Sequence, residues 1–235
     1  TATPAGARLA RHAEDAALLE ASALADLGSK LTTATVRITV NADSLATWVL
    51  PALAAVPDLL FDMVIDDQDH SAALLKRGEV QAAVTSHPGP LQGCDTYPLG
   101  ALRYVATASP AFAARWFPDG VTRDALARAP ALRFNDKDRL QDDWAAGVAG
   151  ERIALPTHRI ASSTAFVDAA YLGIGWGMNP EPLVRAHLKA GRLVALIPDA
   201  PLDVPLHWQV ARLTAKALKP LTTAIRRAAE AVLIA

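Results

Sequence analysis

Val36-Arg37-Ile38-Thr39-Val40-Asn41-Ala42-Asp43-Ser44 decides how the chain is read. Val36, Ile38 and Val40 alternate with Arg37 and Thr39, the period of two that marks a strand with one buried face. Asn41, Asp43 and Ser44 then offer several capping oxygens for a helix over about 44–55. Outward from there, Leu59–Ile65 reads as a second strand and Asp66-Asp67-Gln68-Asp69 leads into a helix near 70–77. Gln81–Thr85 reads as a third strand. This β-α-β-α-β order predicts a parallel sheet with right-handed crossovers.

A second set of short elements follows the break at Pro88-Gly89-Pro90. Strands are expected at 101–108, 131–134, 157–161, 173–178, 193–196 and 206–212, the last with alternating Leu206, Trp208 and Val210. Helices are expected near 110–116, 122–128, 138–147, 163–172, 180–190 and 218–232. Ahead of everything, residues 7–27 are rich in Ala and Leu, lack Gly and Pro, and stop at Gly28. Ala10, Ala17 and Leu24 fall at heptad spacing there, beside Ala13 and Leu27. That pattern suits either a weak coiled-coil-like seam or a surface helix packed on its own domain. The whole reads as α/β with two similar halves, for which a cleft between the halves is the natural ligand site.

The composition excludes several classes. With 235 residues, 51% hydrophobic and 20% charged, the chain has the material for a core and is not disordered. It has no apolar run of about 18 residues, so no membrane-spanning helix is expected. Lys plus Arg total 23 against 24 for Asp plus Glu, a formal charge of −1, which argues against the chain gripping a phosphate backbone by itself. Cys94 is the single cysteine, so neither a disulfide nor a cysteine metal cluster is expected, and a reducing cytoplasm is compatible. The six histidines are scattered. There is no G-x-S-x-G elbow. Gly173-Ile174-Gly175-Trp176-Gly177-Met178 fails as a dinucleotide fingerprint because Met178 replaces the last glycine, and its glycines read as close packing of a strand on a helix. Nothing calls for catalysis, a metal or a cofactor.

The strand ends carry the candidate binding residues. The turn with Asp43 and Ser44 puts helix N–H groups and a favourable dipole where a carboxylate could bind. Asp66 and Asp67 end the second strand and suit an ammonium or guanidinium, with only one of the two facing the ligand because neighbours on an extended segment point oppositely. Thr85 after the third strand, Asn135 after the strand at 131–134, and Ser162-Ser163 before a helix add hydrogen-bonding groups. Capping alone explains Ser162 or Ser163 equally well.

Several stretches carry a family resemblance. Thr3-Pro4-Ala5-Gly6 with Leu9, His12 and Leu18-Leu19-Glu20 resembles the start of the linker helix in LysR-type transcriptional regulators. Asn41 to Trp48, Arg77-Gly78-Glu79-Val80, Leu99 to Tyr104, Phe117 to Arg123 and Ser162 to Val167 resemble the branch that regulates lysine and arginine export. The resemblance implies two Rossmann-like subdomains of the periplasmic-binding-protein type II fold preceded by a linker helix at 1–30. Subdomain I would take 34–98 and 205–235, and subdomain II 99–204, with the family's winged helix-turn-helix absent from this chain. It implies a basic amino acid as effector, lysine or arginine, with Trp48 adding apolar or cation–π contact. It also implies a cytoplasmic homodimer or tetramer that uses the second strand, and DNA contact only through the missing domain. In the wider family the third strand often carries an acid where Gln81 stands, and no role is assigned to Gln81. The alternative is an extracytoplasmic amino-acid-binding protein serving a transporter.

Overall fold

The computed structural model describes residues 3–28, 33–65, 73–86, 89 and 91–235. The strands are β1 Ala34–Val40, β2 Leu59–Ile65, β3 Ala82–Thr85, β4 Cys94–Ala108, β5 Ala131–Arg133, β6 Thr157–Arg159, β7 Gly177–Pro180, β8 Val194–Ala195 and β9 Leu202–Ala211. The chain divides into two compact units. One is Thr1–Ala101 with Pro205–Ala235, and the other is Leu102–Val204. The chain therefore crosses from unit to unit twice, once within β4 and once within β9.

The main sheet has the strand order β2-β1-β3-β9-β4-β7, with β8 on β4, and β5 and β6 form a separate pair. β1 lies parallel to β2 and to β3, as the β-α-β-α-β order requires. Beyond those three strands the sheet is mixed. β9 runs antiparallel to β3, and β7 and β8 run antiparallel to β4. The parallel rule applies to successive strands joined by a crossover helix, whereas β9 arrives from the other unit with its direction set elsewhere. The architecture is α/β with a mixed sheet.

In the first unit, Val36, Ile38 and Val40 are fully buried, as their alternation required. Trp48, Val49, Trp208, Val210, Leu221 and Ile225 are buried with them. The Trp208 indole N–H donates to Thr222 Oγ1 at 3.1 Å, which satisfies a polar atom that burial would otherwise orphan. Helix α1, Pro4–Asp26, packs against β1. It buries Leu18, while Leu24 and Leu27 of the heptad pattern stay exposed. Of the helix expected near 70–77, residues 73–77 fall within the described residues, and 73–76 are helical.

Helix α2 follows β1. It begins as Ala42–Ser44, widens to a π-turn at Leu45–Val49 and ends as Leu50–Ala54. Pro51 accounts for the widening. It has no N–H to give, and its ring crowds the carbonyl four residues back, so the turn before it opens.

β4 is longer than expected, starting at Cys94 and not at 101. In the structure Pro98 is exposed, where its missing N–H costs nothing. Gly100 has φ +103, and a Cβ there would lie 2.5 Å from the Ile234 carbonyl oxygen. That close approach is used: Ala101 and Ile234 exchange two backbone hydrogen bonds of 2.8 and 3.0 Å.

In the second unit, Leu132, Phe166, Val167, Ala170, Val184 and Leu193 form one cluster, with Trp144 packed on Trp176 at 5.2 Å between ring centroids. The strand expected at 173–178 lies at Gly177–Pro180. The glycines ahead of it pack closely, as read: a Cβ on Gly175 would sit 2.9 Å from Leu132 Cδ2, and one on Gly177 2.5 Å from Phe166 Cε1.

Candidate binding site at the strand ends

In the first unit the register sets the geometry. Val40 pairs with Ile65 and Thr39 with Ala83, so β1, β2 and β3 end on the same side. Asn41 follows β1 directly. Its Oδ1 accepts a hydrogen bond from Ser44 N at 2.8 Å, and its carbonyl accepts from Leu45 N at 3.1 Å. Asn41 is thus the cap of α2, a role open in the sequence to Asp43 and Ser44 as well. Asp43 lies half-buried in the first turn, where the helix dipole favours an acid. Its carbonyl accepts from Thr47 Oγ1 at 2.7 Å.

Asn41, Ser44 and Trp48 are all buried, at 7%, 0% and 1% exposure. Asn41 Nδ2, Ser44 Oγ and Trp48 Nε1 are nevertheless without a hydrogen-bond partner among the described residues. Three such atoms at three- and four-residue spacing along one helix start stand out, since a buried polar group left unsatisfied costs about 1–3 kcal/mol. Trp48 belongs to the core of the unit, so its ring is packed against protein.

Thr85 ends β3 and is fully buried. Its Oγ1 accepts from Gln209 Nε2 at 3.4 Å, and the same nitrogen lies 3.3 Å from the Gly89 carbonyl. Gln209 escaped sequence reading. The available signal was a polar residue at a fully buried position amid Leu206, Trp208 and Val210. Asp66 and Asp67, expected to meet a cation, lie outside the described residues.

In the second unit β5 and β6 are parallel, with Arg133 opposite Arg159, so Asn135 and Ser162-Ser163 follow strand ends on one side. Ser162 caps the helix Ser163–Tyr171, its Oγ accepting from Ala165 N at 3.4 Å. Ser163 is buried behind it. Asn135 Oδ1 accepts from Lys137 N at 2.8 Å and Asp138 N at 3.1 Å, so that oxygen shapes a turn. Asp138 in turn accepts from Phe134 N and Leu140 N at 2.8 and 3.1 Å. Burial pushes the Asp138 carboxyl above the usual aspartate range, against the pull of those two N–H groups and of Arg133. A further polar pair went unread: Asn179 Nδ2 donates to Thr107 Oγ1 at 2.9 Å, both fully buried.

Among the described residues no group of three His, Cys, Asp or Glu could hold a metal ion. No described helix is long and apolar enough to cross a membrane. Cys94 is buried, and burial pushes its thiol up, away from the reactive thiolate.

Residues 29–233 match the LysR substrate binding domain. The HTH-type transcriptional regulator LysG of Mycobacterium tuberculosis is 43% identical over 230 residues, covering 97% of this chain and 76% of that protein. The structure of the C-terminal domains of a LysR family protein from Agrobacterium tumefaciens is 53% identical, with a TM-score of 0.83, covering 85% of this chain and 98% of that one. Full-length LysG from Corynebacterium glutamicum with bound effector Arg is 33% identical with a TM-score of 0.82, covering 100% of this chain and 81% of that one. These relatives are transcriptional regulators and not enzymes, which displaces the transporter alternative. Two units of mixed α/β structure, sequence identity across nearly the whole chain and close structural likeness agree: the chain belongs to the LysR-type transcriptional regulators, within the LysG and ArgP kind.

Proposed function

We propose that this chain senses a basic amino acid, lysine or arginine, and thereby controls transcription of an amino-acid exporter in the cytoplasm. The observation that carries the reading is the start of α2, where the buried Asn41 Nδ2, Ser44 Oγ and Trp48 Nε1 have no partner among the described residues. The bound arginine of the Corynebacterium glutamicum protein supports the choice of ligand class. In this reading the α-carboxylate takes the helix N–H groups and the hydroxyls of Ser44 and Thr85. One of Asp66 and Asp67 meets the side-chain cation by charge-assisted hydrogen bonds. Asp43 adds negative charge at the turn, and the buried indole of Trp48 offers its N–H more readily than its face. Asn135, Ser162 and Ser163 are the polar groups the second unit contributes.

The same reading takes residues 1–30 as linker helix, 34–98 with 205–235 as regulatory subdomain I, and 99–204 as subdomain II. DNA is gripped by the helix-turn-helix part of the whole protein, and copies associate as a homodimer or a tetramer. The effector acts only through its differential affinity for two arrangements of the protein.

Calorimetric titration with arginine, lysine and uncharged norleucine tests it. Arginine or lysine binds, norleucine binds at least about tenfold more weakly, and Ser44→Ala weakens the basic ligand by about tenfold. Equal binding of all three, or binding of none, overturns the reading.

A further inference from the structure

Gln81 stands one residue ahead of β3 and is 5% exposed. Both of its backbone groups and both of its side-chain heteroatoms are engaged. Its N–H donates to the Arg37 carbonyl at 2.9 Å, and its carbonyl accepts from Ala211 N at 3.0 Å, so it joins β1 to the end of β9. Its Oε1 accepts from Arg37 N at 2.8 Å. Its Nε2 donates to Asp15 Oδ1, on helix α1, at 2.9 Å. The carboxamide therefore bridges a strand backbone and a helix side chain, with the acceptor facing one and the donor facing the other.

The contact needs a side chain that accepts on one side and donates on the other. Leucine would leave Arg37 N and the Asp15 oxygen unsatisfied. Glutamate would still accept from Arg37 N but would turn an acceptor toward the Asp15 carboxylate, setting two like charges face to face. The charges around the contact do not replace it. Arg77 pairs with Glu79 at 2.6 Å and Arg37 with Asp62 at 3.2 Å, while Arg8, Arg11 and His12 line the groove beside Asp15. The strand that Gln81 holds is β1, and Arg37 lies four residues ahead of Asn41, the cap of α2. Helix α1 and the turn at Asn41–Ser44 are thus fastened to one strand.

We propose that Gln81 is a positioning residue that docks α1 on β1 through Asp15 and so relays occupancy of the Asn41–Ser44 turn to the helix. The relay rests on the effector reading above, whereas the docking does not. Hydrogen exchange measured by mass spectrometry on the whole chain, with and without arginine, reads both. Asp15→Ala and Gln81→Glu each raise exchange across α1 by about tenfold and leave the second unit unchanged. Asp15→Asn, whose carbonyl oxygen still accepts from Gln81, keeps α1 protected. Gln81→Glu combined with Asp15→Asn restores protection, because Asn can donate to the new carboxylate. Unchanged α1 exchange in Asp15→Ala overturns the docking, as does failure of the combined variant to recover. Arginine alters α1 exchange in the unsubstituted chain and not in Asp15→Ala. Calorimetric binding of arginine with no change at α1 overturns the relay alone. Absence of calorimetric binding overturns the effector reading and the relay together, and the docking is still decided by the arginine-free exchange rates.

Discussion

Gly177 shows how much a single absent methyl group decides. A Cβ there would press on the Phe166 ring, and Phe166 is itself locked in the cluster with Leu132 and Val184. Gly177→Ala is expected to cost about 1–3 kcal/mol in urea unfolding, the usual penalty of an overfilled core. Gly147, inside the helix Leu140–Ala149, has nothing within 4 Å of its would-be Cβ, and Gly147→Ala is expected to stabilise by about 0.5–1 kcal/mol. Equal effects from the two substitutions would show that the Phe166 contact yields easily. At this scale the sequence was legible where a residue's own type carried the constraint, as with the glycines of 173–177. It was opaque where the role depends on a distant partner. Gln81 meets Asp15 across 66 positions, and Gln209 meets Thr85 across 124, and neither pairing leaves a local trace.

Among the elements, β2 is the informative one. It stands at the edge of the sheet, and Leu60 and Ile65 are 56% and 47% exposed. An uncovered apolar edge strand in water invites another chain, which supports the proposed association of copies. Sedimentation is expected to show a dimer or larger species that Leu60→Asp shifts toward monomer. A monomer at all concentrations without the substitution would exclude this edge as an interface. Element existence was legible because the apolar period of two in β1 and β9 reflects burial directly. Direction and detail were not. The antiparallel setting of β9 is fixed by where the chain comes from, and the π-turn of α2 by one proline acting on the turn before it. The extension of β4 through Pro98 and Gly100 rests on a backbone bridge to Ile234, far along the chain.

At the scale of the whole molecule, the two crossings mark where the units exchange chain. Just beyond them, within the second unit, Arg103 and Asp203 form a two-pronged ion pair, with both hydrogen bonds at 2.8 Å. The Arg103 hydrogen bond holds the Asp203 carboxyl below the usual aspartate range. A carboxyl depressed by folding contributes stability above its unfolded value, about pH 4, and that contribution disappears as the pH falls through the folded value. Both side chains are more than a third exposed, at 37% and 35%, so solvent screening keeps the pair weak. Asp203→Asn is therefore expected to lower the melting temperature slightly near neutral pH, and the gap to close in acid and in high salt. A gap independent of pH would assign the loss to packing.

The second unit is one unbroken stretch, Leu102–Val204, set into the first, whose last strand and terminal helix are made afterwards. On the ribosome the inserted unit is complete and free to fold while β1, β2 and β3 still wait for β9 to take its place beside them. The later-born segment is therefore the one on which completion of the first unit's sheet depends, and a stall before it leaves the inserted unit finished and its host sheet open.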